Sequence, residues 1–183
     1  MTSDSPLNVR TVAGVATLTL DRPKIHNAFD DVLIEQLIDA LRALEEDASV
    51  RVVVLTGAGA SFSAGADLGW MKRMAKLSEK DNRKDARQLA KLMRVLNQLD
   101  KPTIARVNGA ALGGGVGLVA CCDIAIASDS ARFGLTETRL GLVPAVISPY
   151  VMDAIGPRHA RRLFTTARII DAVEAQRIGL VHA

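Results

Sequence analysis

The period at which apolar positions recur changes repeatedly along the chain, and each change predicts a new element. Residues 12–20 are β-branched and partly alternating until Asp21-Arg22-Pro23 stops them, which predicts a strand. Leu33, Ile34, Leu37, Ile38, Leu41 and Leu44 then fall at three- and four-residue steps, predicting a helix over 29–46 capped by Asp30 or Asp31. Residues 50–56 are almost continuously apolar before Gly57, as in a parallel strand buried on both faces. A Ser/Gly/Ala loop over 57–67 leads into a long polar helical stretch over 70–99, with Leu89, Leu92, Met93, Leu96 and Leu99 on one face. Strands are predicted over 103–107 and 124–127, a small-residue helix over 114–121, and a short extended piece at Phe133-Gly134. Helices follow over 145–155, 157–165 and 171–178, the last with Asp171 and Glu174 spaced as a capping box and Gly179 as its stop. Strands alternating with helices predict an α/β fold with a largely parallel core.

Composition narrows the function classes. A chain of 183 residues reads as a single domain over 1–183, and its 49% hydrophobic and 23% charged residues exclude disordered and collagenous classes. Four Phe, one Tyr and one Trp leave few platforms for stacking bases. Cys121 and Cys122 are adjacent, so they read as reduced, buried small residues rather than a disulfide framework. His26, His159 and His182 lie far apart and no C-x-x-C occurs, so no metal site is expected. Residues 1–10 carry no apolar run, and the longest uncharged apolar stretch, 109–122, is too short for a span. A cytoplasmic protein is therefore expected.

Two glycine-rich turns are the candidate chemistry. Ser63-Ala64-Gly65-Ala66-Asp67 follows one strand, and Gly109-Ala110-Ala111-Leu112-Gly113-Gly114-Gly115 follows another; each leads into a helix. Small side chains there leave backbone N–H groups open at a helix N-terminus. Two such donors converging on one oxygen would form an oxyanion hole, each worth ~3–4 kcal/mol to a transition state. On spacing alone, tight turns and close packing are the favoured explanation of the same glycines. A dinucleotide fingerprint is excluded, because the third glycine position after Gly57-x-Gly59 is Phe62.

Five ordered motifs go further. They are Arg22-Pro23-Lys24-x-His26-Asn27-Ala28, Phe62-Ser63-Ala64-Gly65-Ala66-Asp67-Leu68, Lys101-Pro102-Thr103-Ile104-Ala105 running into Asn108 to Gly115, Cys122-Asp123-Ile124, and Phe133-Gly134-x-x-Glu137-x-x-Leu140-Gly141-x-x-Pro144. Together they resemble the enoyl-CoA hydratase/isomerase (crotonase) family, collinearly from about Val12 onward. The segments 66–74 and 142–150 resemble its branch around methylglutaconyl-CoA and isohexenylglutaconyl-CoA hydratases. The resemblance implies a ClpP/crotonase-like spiral of ββα units that binds an acyl-CoA thioester, with coenzyme A as part of the substrate and no further cofactor. It implies an enoyl-CoA hydro-lyase of fatty-acid or branched-chain amino-acid catabolism, acting on a branched or carboxylated 2-enoyl-CoA. The N–H groups of Ala66 and Gly114 would hold the thioester oxygen. Lys24, His26, Ala28, Ala64, Gly65, Asp67 and Leu68 match segments that grip CoA, Lys24 lying near the phosphates or serving as a solvated turn lysine. The resemblance also implies a C-terminal helical segment that covers the site and builds a homotrimer or a dimer of trimers. With the chain ending at Ala183, that segment is expected to be missing.

Glu137 matches the family's second catalytic glutamate, a general acid/base whose pKa an apolar pocket should raise. The first glutamate's position holds Gly117, which can neither orient water nor move a proton. A one-glutamate hydratase, with water or a substrate carboxylate in the vacated space, a double-bond isomerase, and a non-hydrating homologue all remain open. Arg139 is a candidate partner for a distal substrate carboxylate, or a surface arginine. Charge adds one local clue. Residues 71–94 carry nine basic and three acidic side chains, leaving the rest of the chain net acidic although the total is +3. This basic helical stripe reads as a solvated face, as attraction for polyanionic CoA, or, through an RNA-binding animal hydratase of the family, as an RNA contact over 71–94.

Overall fold

The computed structural model describes residues 5–183. The chain opens with an antiparallel hairpin, β1 (Leu7–Val12) and β2 (Val15–Leu20), turned at Ala13-Gly14. Helix α1 (Asp31–Glu46) follows, its first turn capped by Asp30, whose side chain accepts from Leu33 N. All six of its periodic apolar residues are buried. Each such burial contributes about 1.5–3 kcal/mol relative to exposure, more than any capping or propensity term in the helix, so packing holds it.

Three times thereafter the chain lays a strand on one sheet, a shorter strand on a second, and returns through helix. The first pass is β3 (Val52–Gly57), β4 (Ser61–Ser63), α2 (Leu68–Met74) and α3 (Glu79–Asn97). The second is β5 (Thr103–Val107), β6 (Ala110–Leu112) and α4 (Gly114–Ala120). The third is β7 (Ile124–Ala127), β8 (Arg132–Gly134), a 3-10 turn over Glu137–Leu140, and α5 (Ser148–Thr166). β9 (Ile169–Asp171) and α6 (Ala172–Arg177) close the chain. One sheet has the order β1-β2-β3-β5-β7, parallel from β2 onward; the other has the order β4-β6-β8-β9, antiparallel only at β8–β9. Each pass thus advances one strand in both sheets, which is the ββα spiral that the motifs implied.

The structure corrects several expectations. The single helical stretch over 70–99 is two helices, because Ser78 caps a fresh one by accepting from Asp81 N. Gly156, at φ +73, breaks α5 just before Pro157, so its two halves are the separate helices predicted on either side of it, the first starting at Ser148 rather than at 145. Most important, C-terminal helices are present rather than missing. After the last motif, α5 buries Val151, Ile155, Ala160 and Leu163, and α6 buries Ala175. Glu174 on α6 then bonds Arg162 on α5 at 2.6 Å, while Arg168 and Arg177 lie at 3.4 and 3.6 Å. Asp171 makes its half of the capping box, accepting from Glu174 N, but those arginines claim the Glu174 carboxylate. These helices are the ones the periodicity predicts over 145–165 and 171–178, so the expectation of a missing segment, drawn from the resemblance, ran against the hydrophobic pattern itself. Among the described residues, no helix is long and apolar enough to cross a membrane.

Candidate active site

Strands β4 and β6 pair in parallel, so the glycine turns that leave them emerge side by side. Gly65 takes φ +81, and a Cβ there would sit 2.7 Å from Leu112 O and 3.2 Å from Gly114 N. Only a residue without a side chain lets the two turns close to this distance. Ala64, Ala66, Gly113 and Gly114 from these turns line a cavity of about 290 Å³, together with Glu137. Leu68, Met71, Leu89, Leu142, Val143 and Ile147 supply much of the remaining, largely apolar wall.

Two backbone donors in this wall are held in place by the bonds their neighbours make. Phe29 N donates to Gly65 O at 2.8 Å, fixing the plane of the peptide whose other edge is the Ala66 N–H. Phe29 O in turn accepts from Asp67 N at 2.9 Å, so residues 65–67 form a bridge to Phe29. Gly113 O accepts from Val116 N and Gly117 N, which aims the Gly114 N–H out of the first turn of α4. Neither Ala66 N nor Gly114 N has an acceptor among the described residues. A Cβ on Gly114 would overlap the Phe29 ring, so this position too is confined to glycine.

Glu137 begins the 3-10 turn after β8 and reaches back over Gly113, where a Cβ would lie 3.0 Å from Glu137 Oε1. Its Oε2 is buried with no hydrogen-bond partner among the described residues. Burial pushes the Glu137 carboxyl above its ordinary range, and a hydrogen bond from its own backbone only partly opposes this. A carboxylate short of solvation, beside two open N–H donors, can exchange a proton while an oxyanion forms nearby. Among the described residues it is the only charged side chain in the cavity wall.

Gly117 lies on the inward side of α4, buried, and the space in front of it is occupied. A Cβ there would overlap Ile147 Cγ2 and come within 2.9 Å of Ile147 Cβ and 3.4 Å of Met93 Cε. The expectation of water or a substrate carboxylate at this spot is therefore corrected: a branched side chain seals it. Arg139 does not line the cavity; it is exposed and donates to Ala167 O at 2.8 Å. Lys24 and His26 are exposed on the turn after β2, outside the cavity wall, with His26 Nδ1 3.0 Å from Ser61 Oγ. Ala28 is buried behind that turn, while Ala64 and Leu68 line the cavity. Asp67 turns away from the cavity, capping α2 through Trp70 N at 2.8 Å and facing Arg22 at 3.5 Å.

Three contributors were not assigned from sequence. Asn27, fully buried at φ +54, donates to Ala58 O and Ser61 O and accepts from Arg22 N. Arg22 ties Ala28, Asp30 and Asp67 together. Both stand in the first motif, so that motif was the available signal. Ile147 had none, because nothing in the sequence pairs it with Gly117.

Comparison with known proteins agrees with this fold. The family model for enoyl-CoA hydratase/isomerase matches residues 10–183. A short-chain-enoyl-CoA hydratase of Clostridium acetobutylicum is 42% identical over 170 residues, covering 92% of this chain and 64% of its own length. A crotonyl-CoA hydratase of Syntrophomonas wolfei is 39% identical over 170 residues, with the same coverages. The crystal structure of an enoyl-CoA hydratase from Shewanella pealeana superposes with a TM-score of 0.95 at 46% identity, covering 97% of this chain and 67% of that one. The chain thus spans just under two-thirds of the length of the curated relatives it matches.

Proposed function

The chain belongs to the enoyl-CoA hydratase/isomerase family, and we propose that it acts as a hydro-lyase, adding water across the C2–C3 double bond of a 2-enoyl-CoA. The observation that carries this reading is the Glu137 carboxylate, whose Oε2 is buried with no partner among the described residues, in one cavity wall with the open Ala66 and Gly114 N–H groups. In the proposed reaction those two N–H groups hold the thioester oxygen. Glu137 takes a proton from water as its oxygen bonds to C3, and the electron pair of the double bond moves onto the thioester oxygen as an enolate. The Glu137 carboxyl then returns the proton to C2, giving the 3-hydroxyacyl thioester and the original carboxylate. One carboxylate performs both transfers, because Ile147 closes the place at Gly117 where a second would stand.

The resemblance of segments 66–74 and 142–150 to methylglutaconyl-CoA and isohexenylglutaconyl-CoA hydratases favours a branched acyl group. Between branched and carboxylated chains, the wall favours the former: it offers a distal carboxylate no cation, and Arg139 points elsewhere. The same sealed position at Gly117 favours a second reading, a double-bond isomerase in which Glu137 carries a proton between C2 and C4. Incubation with 2-enoyl and 3-enoyl thioesters in heavy-oxygen water separates them. Hydration places the label in a 3-hydroxyacyl product; a shifted double bond without label establishes the isomerase. If neither product forms and a Glu137→Gln variant behaves as the parent does, both readings are overturned.

A further inference from the structure

Arg22 stands two residues after the end of β2, and its guanidinium fork ties together residues adjacent in sequence to the cavity-lining Phe29, Ala66 and Leu68. Nη1 donates to Ala28 O at 2.7 Å, while Nη2 pairs with Asp30 at 2.9 Å and reaches Asp67 at 3.5 Å. Each carboxylate is doubly engaged. Asp30 gives one oxygen to Leu33 N and the other to Arg22; Asp67 gives one to Trp70 N and the other to Arg22. These aspartates are the N-caps of α1 and α2. They also sit one residue beyond Phe29 and Ala66, the two residues of the isolated parallel bridge that orients the Ala66 peptide. A single side chain therefore clamps both ends of the bridge, at the point where each strand of it becomes helix.

We propose that Arg22 is a positioning residue for the Ala66 donor, a role that rests on the hydratase/isomerase reading of this site. Its planar fork holds Ala28, Asp30 and Asp67 in one register, so that the 65–66 peptide keeps its N–H edge in the cavity wall. A lysine would supply the charge without the fork, and could not meet a carbonyl and two carboxylates together. The donor itself is backbone, so among substitutions at Ala66 only proline deletes it outright, and its aim is otherwise changed through residues that position the peptide.

The test uses cinnamoyl-CoA, a conjugated thioester whose absorption moves to longer wavelength when hydrogen bonds polarise its carbonyl. Parent, Arg22→Lys, Arg22→Met and Asp67→Asn are compared by spectral shift on binding and by separate kcat and KM. Asparagine still caps α2, so Asp67→Asn removes the ion pair while keeping the helix start, and it serves should Arg22→Met fail to fold. The expected result is a smaller red shift and a kcat lower by about 10- to 100-fold, at little-changed KM, in all three variants, because a misdirected donor is lost mainly from the transition state. Full red shift and parental kcat in folded Arg22→Lys and Asp67→Asn overturn the proposal alone. A parent protein that neither shifts the spectrum nor turns over any enoyl thioester overturns the functional reading, and the proposal with it.

Discussion

Gly117 and Ile147 offer the sharpest test of how the cavity is built. Replacing Gly117 by alanine places a methyl group where Ile147 Cγ2 already lies and within 2.9 Å of Ile147 Cβ. Gly117 is inside α4, so alanine gains up to about 1 kcal/mol in helix propensity. Overpacking works the other way, at about 1–3 kcal/mol, and the overlap with a buried branched side chain puts this site near the upper figure. The expected net loss is about 2 kcal/mol. Leucine at position 147 has no branch at Cβ, so Ile147→Leu removes the overlapping methyl while roughly keeping volume. It should cost less than about 1.5 kcal/mol alone. The double variant should then recover at least ~1 kcal/mol relative to the sum of the singles, well outside the ~0.5 kcal/mol within which independent sites add. Urea unfolding of the four proteins measures the cycle. An alanine variant as stable as the parent, or a strictly additive cycle, would refute the idea that Ile147 seals the position. Gly117→Glu, by the same reasoning, fails to restore a second carboxylate unless Ile147 is reduced with it.

Other expectations follow from the same contacts. Glu137→Gln keeps the shape of the side chain but not its proton transfer, and should lower kcat by about 10²–10⁴-fold in a product assay. Burial raises the Glu137 pKa, so the rate should climb with pH through a value above the ordinary carboxylate range, read from the acid limb of kcat/KM. Stability runs the opposite way: the folded protein holds this proton more tightly than the unfolded chain. The contribution is complete below the unfolded pKa and is lost as pH rises through the folded one. Urea unfolding should therefore find Glu137→Gln more stable than the parent at neutral pH, with the gain shrinking in acid. Asn27→Ala leaves buried backbone groups unsatisfied at a positive-φ site and should cost about 3 kcal/mol in the same assay. Lys84→Gln combined with Lys91→Gln should leave kcat and KM unchanged if the stripe on α3 is only solvated, whereas a salt-dependent rise in KM would assign that face to CoA.

Much of the fold was legible because its long elements repeat their burial often enough to read. The α1 stripe, β3 and β5 are examples, as are the caps at Asp30 and Asp171. Short or one-sided elements were not. β4 and β6 have three residues each, too few for any period to register, and β1 buries only Leu7. The candidate site shows the same division. Ala66, Gly114 and Glu137 lie in motifs that a linear reading can hold, and they meet at one cavity. Contacts between distant segments were invisible. Ile147 against Gly117 joins two helical regions through packing alone, and Arg139 turned outward because Ala167 O offered it an acceptor. The C-terminal helices show a third kind of error: their periodicity and the Asp171 cap predict them, and the expectation of a missing segment was laid over that pattern from the resemblance alone.

The two donors of this cavity are main-chain amides, and that divides the site into a part that mutation reaches easily and a part that it does not. Every residue except proline carries the amide, so random substitution at position 66 or 114 seldom deletes a donor, although it can displace one. The carboxylate has no such protection, since one base change at codon 137 removes it. A lineage built on this spiral would keep its capacity to stabilise an oxyanion while its proton-carrying group is lost, moved or regained. For protein engineers, the backbone turns are the fixed part of the scaffold, and the wall opposite them is where new chemistry is to be written.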